Sequence, residues 1–500
     1  MSDTGRIREP LGPRTRHQIY GAPSQYEIAT ELDRTSRIDL AHVVMLTECG
    51  LVGAADAHAL LAAILRLRDG EFAALRSAPI PRGLYMAYEQ CLGTMLGEDV
   101  SGRLHTGRSR NDMKATVTLT RLHEWLLTFT EESTRLVAVL LSRAGRNADV
   151  VMPVYTHFQA AMPVTYGYYL IGVASALTRQ LEALRDTARD LRRCPMGAGA
   201  VAGTDLPIDP SRIASLLGFE SPPLHAIDAI ASRDTGTRML AVAVEVAVLL
   251  SRLGTDLQLW STEEFGFLSF PDRLVGASSA MPQKRNAFLL EHLKAGAGSA
   301  SAAWAGAMAS IKSTPFTNSI EVGTEAVELI WPGLATATDM VLLAQVLVSG
   351  ARPRPERMLT RAEEGFVTAT AVTNELVRRD VPFRKAHHAV GAAVREALER
   401  GARELAASSP ALRRFGLPPE SPGPRAAMAR AEFGGGPARW RAAYDDVHAR
   451  VAELRRWRTT EAARVRRASA ELDAAVGELL ARRADAGVVV PTSSVGEVAS

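Results

Sequence analysis

The sequence predicts a mainly α-helical protein organised around a long central helical bundle, and three observations carry that reading. Leu119, Leu122, Leu126, Phe129, Leu136 and Leu140 recur at intervals of three and four, interrupted only by Ser133, and so mark one face of a long helix. Similar apolar stripes run through roughly 165–192, 235–262, 288–312 and 325–350. The stretch from Ala295 to Ala309 is dominated by Ala, Gly and Ser around Trp304, small side chains that let helices approach closely. Strand signals are weak and scattered.

Five such helices joined by short connections form a bundle with antiparallel neighbours. The expected organisation is a mostly helical unit over 1–112, the bundle over 113–360 and a second helical unit over 361–485. Arg352-Pro-Arg-Pro355 marks the end of the bundle, and Pro418-Pro-Glu-Ser-Pro-Gly-Pro424 and Gly434-Gly-Gly-Pro437 break the last unit before a basic helix over 438–484. Residues 486–500 lack periodicity and read as a disordered tail. Stripes this apolar are expected to be buried against copies of the same chain.

Composition narrows the function classes. The chain of 500 residues is 47% hydrophobic and 23% charged, with a net charge of +3, so it carries no broad electrostatic case for nucleic acid or an anionic membrane. Met239 to Leu253 reads as the most apolar helical stretch; with Glu245 and Arg252 inside it, it is too short and too charged to cross a bilayer. No secretory h-region occupies the first twenty residues. Cys49, Cys91 and Cys194 follow no pairing motif and read as buried thiols, so a cytoplasmic location is expected.

Four clusters interrupt the helical pattern, each expected at a loop or a helix start. His105-Thr-Gly-Arg-Ser-Arg-Asn-Asp112 precedes the first long stripe; two arginines at a helix start suit a carboxylate, and a helix cap with a solvated basic turn is the plainer reading. Tyr155-Thr-His-Phe-Gln159 places a histidine among apolar neighbours, where a hydrogen-bonded core residue is commoner than a catalyst. Pro195-Met-Gly-Ala-Gly-Ala-Val-Ala-Gly-Thr204 lacks the ending of a phosphate loop and reads as a close turn between helices. Gly276-Ala-Ser-Ser-Ala-Met-Pro-Gln-Lys-Arg-Asn286 is the most informative. Its small residues allow movement, its serines offer a proton-transfer group, and Lys284 and Asn286 offer a cation and an amide. No metal-ligand spacing occurs, and His387 and His388 diverge on a helix.

In combination these blocks, with Val381-Pro-Phe-Arg-Lys-Ala-His-His-Ala-Val-Gly391, resemble the argininosuccinate lyase family of the fumarase/aspartase superfamily, which includes the delta-crystallins. The likeness runs from about residue 30 to about 460. It implies a three-domain helical fold, a homotetramer with a twenty-helix core, and active sites assembled from three subunits. It also implies cleavage of a C–N bond by anti β-elimination, releasing fumarate without metal or organic cofactor. The substrate would be a small dicarboxylate.

By that resemblance Ser278 is the general base, its pKa lowered by Lys284 and loop N–H groups, and His157 acts on the leaving nitrogen with Glu291 polarising it. Arg110, Asn111, Thr156, Lys284 and Asn286 hold the succinyl carboxylates. Ser109, Gln159, Arg233, Ser279, Met281 and Asn318 also match binding positions. The chain departs from the family's pattern where a block usually reading Tyr-Asn-Arg-Asp-Leu-Gln-Glu-Asp-Lys stands as Thr317-Asn-Ser-Ile-Glu-Val-Gly-Thr-Glu325. Asp39 stands where a small Ser is usual, and Ala287 replaces the Pro after Asn286. These departures favour an altered amine half, with Glu321 or Glu325 facing a cationic amine. Alternatives are a lyase that eliminates another nitrogen group, such as nitrite or a hydrazine, and a non-catalytic crystallin-like member.

Overall fold

The computed structural model describes residues 11–21, 25–76, 83–406, 409–417 and 422–484. The tail from 486 and part of the Pro418–Pro424 stretch lie outside the described residues.

Every predicted stripe becomes a helix. The first is α4, Arg110–Arg146, which follows α1 (Gln25–Glu48), α2 (Ala54–Asp69) and α3 (Leu84–Leu96). It buries Leu122, Leu126, Phe129, Ser133, Leu136 and Leu140, so the polar break in the stripe still lies on the core face. Then come α5 (Tyr166–Thr187), α6 (Asp234–Ser261), α7 (Phe288–Ile311) and α8 (Ala326–Gly350). Helix α7 packs on α6 and α8, and α4 packs on α5 and α8, enclosing one large apolar core.

Small residues set the spacing of this bundle. A Cβ on Gly333 would lie 2.7 Å from the Leu240 side chain and 3.0 Å from Ala303, so α6, α7 and α8 approach closely there and a larger residue would have to displace its neighbours. Among the described residues one helix, Glu321–Gly350, is by length and composition able to span a bilayer, and half of its apolar window is buried inside the protein. It begins with a π-helical turn, Glu321–Glu325, that leads directly into α8.

A second core joins α1, α2 and α3 to Leu472 and Val476 of the long helix α10, Pro437–Ala484. Val447, Val451 and Leu454 of the same helix enter the bundle core, so α10 ties the two cores together. Helix α9, Phe383–Glu399, belongs to a smaller cluster with Val372, Leu376, Leu405 and Leu412. All three cysteines are free; Cys194 is buried as expected, whereas Cys49 and Cys91 are only partly so.

Two hairpins interrupt the helices. Strands β1 (Val151–Thr156) and β2 (Gln159–Thr165) pair antiparallel, with Pro153 opposite Pro163. Short strands β3 (Gly276–Ala277) and β4 (Arg285–Asn286) close the serine-bearing loop, Gly276 pairing with Asn286 and Ala277 with Arg285.

Candidate active site

The start of α4 forms a polar wall. Ser109, in extended conformation, caps the helix: its Oγ accepts from the Asn111 N–H at 3.3 Å, and its own N–H donates to Asp112 Oδ1 at 3.0 Å. Asp112 Oδ2 reaches outward and accepts from the Gly197 and Gly199 N–H groups at 3.3 and 3.0 Å. The glycine-rich turn is therefore docked on the helix start. Gly199 has φ +60, and a Cβ there would lie 2.7 Å from the Gly203 carbonyl oxygen.

This docking brings predicted residues together. Asn111 Nδ2 donates to the Ala200 carbonyl at 3.0 Å, and Asn318 Nδ2 donates to Asn111 Oδ1 at 3.2 Å. Arg233 stands beside them: a Cβ on Gly323 would be 3.0 Å from Asn318 Oδ1 and 4.0 Å from the Arg233 guanidinium. Arg233 is only 8% exposed, yet it donates just to the Ser232 carbonyl and its Nε has no partner. Burial pulls its pKa down to about 10, the mark of a cation with no carboxylate nearby. Arg110 is exposed on the first turn of α4.

Arg108 corrects one expectation. Of the two arginines in this block, it is not available to a ligand, because it is buried against Asp39 at 2.6 Å and also donates to the Tyr85 hydroxyl at 2.8 Å.

The histidine cluster is neither a core site nor a plain loop. Thr156 and Gln159 are the last paired residues of β1 and β2, and His157 and Phe158 form the two-residue turn between them. Their φ values are +51 and +60, as a type I′ turn demands, although neither is Gly or Asn. All four residues are exposed, and Phe158 is 80% exposed.

The serine-bearing loop holds Ser278 by its own backbone. Ser278 Oγ accepts from the backbone N–H groups of Met281 at 3.1 Å and Ala280 at 3.4 Å. The Lys284 N–H donates to the Met281 carbonyl at 3.1 Å, folding the loop on itself. Ser279, Met281 and the Lys284 side chain are exposed, and Asn286 is half-buried in β4. Arg285 latches the loop base by donating to Asp272 at 2.6 Å and to the Phe270 carbonyl at 3.1 Å. Glu291, in the first turn of α7, accepts from Gln258 at 3.1 Å rather than meeting His157.

Within one chain, then, Asn111, Asn318 and Arg233 converge with the glycine-rich turn. Among the described residues no hydrogen bond or ion pair joins them to His157 or to the Ser278–Lys284 loop. Asp112, Arg285 and Gln258 are structural contributors that the sequence reading passed over. Only Asp112 carried a signal, the Ser-x-x-acid spacing of a helix cap.

A lyase family model matches residues 51–301, and an argininosuccinate lyase C-terminal model matches residues 366–416. The argininosuccinate lyase of Methanoculleus marisnigri is 36% identical over 376 residues, covering 74% of this chain and 76% of the relative. An EDDS lyase variant solved with bound fumarate superposes with a TM-score of 0.81 at 26% identity, over 94% of this chain and 99% of that one. The class II fumarase of Schistosoma mansoni shares the fold, with a TM-score of 0.66 at 16% identity over 82% of this chain and 91% of its own. The chain belongs to the argininosuccinate lyase family of the fumarase/aspartase superfamily and is a carbon–nitrogen lyase.

Proposed function

We propose that the chain cleaves an N-substituted aspartate by anti β-elimination to fumarate and a free amine. The carrying observation is the pair of N–H groups aimed at Ser278 Oγ. A serine hydroxyl is too weak an acid to act as a base unless donors stabilise its alkoxide, and two fixed backbone donors supply part of that. Ser278 takes a proton from the carbon beside one carboxylate; the resulting charge spreads onto that carboxylate, the C–N bond breaks, and the departing nitrogen gains a proton on the His157 side. The Lys284 side chain is exposed and no hydrogen bond joins it to Ser278, so its proposed contribution belongs to a closed state that also excludes water.

Arg233, buried without a carboxylate partner and with its Nε unsatisfied, supports with Asn111 and Asn318 a carboxylate subsite on the wall described above. Arg110, Ser109, Thr156, Gln159, Ser279, Met281 and Asn286 are assigned to binding on the family pattern. Exposed apolar side chains on the bundle, Val248, Trp304, Met308, Leu329, Leu342 and Val346, favour assembly with further copies. In a homotetramer the His157 turn and the serine loop of different chains complete one site. Three free cysteines suit a reducing compartment such as the cytoplasm.

The amine half is proposed to differ from arginine. Glu321 and Glu325 are exposed on the π-helical turn beside Asn318, and among the described residues neither makes an ion pair, which favours a cationic amine. The test is fumarate release from a panel of N-succinyl amines, argininosuccinate included. Fumarate from a member whose cationic amine lacks arginine's α-carboxylate, in preference to argininosuccinate, is the expected result; equal or better use of argininosuccinate refutes the altered subsite.

A further inference from the structure

We propose that Asp112 is a positioning residue for the elimination, fixing the side-chain amide of Asn111 through the glycine-rich turn. The inference rests on the reading that Asn111 holds a substrate carboxylate.

Asp112 is fully buried and takes four backbone N–H groups: Ser109 at 3.0 Å and Met113 at 2.9 Å on one oxygen, Gly197 at 3.3 Å and Gly199 at 3.0 Å on the other. A helix cap accounts for the first oxygen alone. The second spends a buried charge on a turn 85 positions away, and that turn delivers the Ala200 carbonyl to Asn111.

The consequence is a fixed polarity. A carbonyl only accepts, so Asn111 must present its NH2 to Ala200 and its oxygen to Asn318. Asn318 must in turn present its NH2 to Asn111, leaving its own oxygen toward Gly323. One N–H of Asn111 is consumed by Ala200; the other stays free in a single orientation, ready to donate to a carboxylate. Without the turn in place the amide can flip, and half of its orientations present an acceptor to an anion. The aspartate thus acts on a group that it never touches.

Asp112→Asn tests this with little change of volume. Whichever way its amide faces, either the cap or the glycine turn loses an acceptor and meets a second donor. Fumarate is the probe, because its binding can be measured whatever the amine. The expected result for Asp112→Asn is a fumarate Kd raised roughly tenfold and a kcat/KM lowered mostly through KM. In the Asn111→Ala background Asp112→Asn should add no further loss. Gly199→Ala, which disturbs the turn while leaving Asp112 intact, should reproduce the same phenotype, and it decides the matter if Asp112→Asn fails to fold. Unchanged fumarate binding in Asp112→Asn or Gly199→Ala, or fully additive losses with Asn111→Ala, overturns the proposal. Unchanged binding in Asn111→Ala alone instead removes the carboxylate reading of Asn111, so the two failures are distinguishable.

Discussion

The Arg108 guanidinium lies 2.6 Å from the Asp39 carboxylate, and neither side chain is exposed. Burial alone would weaken the charge on Arg108, yet Asp39 and the neighbouring Tyr85 and Glu89 hold its pKa above the ordinary value. The chain of contacts continues outward: the Tyr85 hydroxyl donates to Glu89 at 2.7 Å, and Glu89 meets His105 at 3.1 Å. An acid at position 39 therefore serves the interior of the amino-terminal unit, beneath the wall formed by α4.

Replacing Asp39 with the small residue usual in the family should be costly. Asp39→Ser is expected to lower stability by about 3–5 kcal/mol, because it leaves a buried guanidinium without a counter-charge. Adding Arg108→Met should recover part of that loss. Denaturant unfolding of both variants checks the prediction, and a single variant as stable as the parent contradicts it.

Ser278→Ala should reduce turnover by about a thousandfold while leaving the melting temperature within about 2 °C of the parent. The loop is exposed and the Ser278 hydroxyl packs against no core, so a loss of activity cannot be assigned to unfolding. Fumarate absorbance and calorimetry on the same sample give both readings.

His157→Asn is expected to keep the hairpin, because Asn tolerates positive φ, and to lose at least about a hundredfold in kcat. Retention of the fold with full activity would remove His157 from the proposed proton transfer.

Glu325→Lys reverses the charge on the π-helical turn. It should improve argininosuccinate turnover by roughly tenfold and weaken use of a cationic amine substrate by a similar factor. Steady-state kinetics with both substrates decides; no change in either places Glu325 outside the amine subsite.

Glu461 predicts an acid response. The His123 ring, with Arg464 at 2.7 Å and Arg192 at 3.0 Å, holds its pKa down to about 2 against the upward push of burial. A carboxylate with a depressed folded-state pKa adds stability above its unfolded value near 4.5, and that stability is lost as pH falls toward about 2. Glu461→Gln should cost about 3 kcal/mol at pH 7 and flatten this part of the acid limb. Unfolding curves for both proteins between pH 7 and the acid limit measure the difference.

The helices were legible because each long stripe is periodic over many turns; the α4 pattern even placed Ser133 on the face where it is found. The β1–β2 hairpin was not, since Pro153 and Pro163 sit opposite one another and proline argues against a ladder. Arg108 and Arg110 look alike in one short block, and partners far away in sequence, Asp39 at 69 positions and Tyr85, distinguish them. Asp112 announced its cap but not its grip on Gly197 and Gly199, a contact made by tertiary docking. The π-helical turn at 321–325 has no composition of its own to read.

The turn at His157 and Phe158 bears on any attempt to make this protein hardier. Each of its two positive-φ residues costs about 1 kcal/mol that a glycine would spare. A library selected only for survival on heating would drift toward glycine at both places. On the role proposed for His157 the winners would be robust but slow, so screening must reward turnover from the first round.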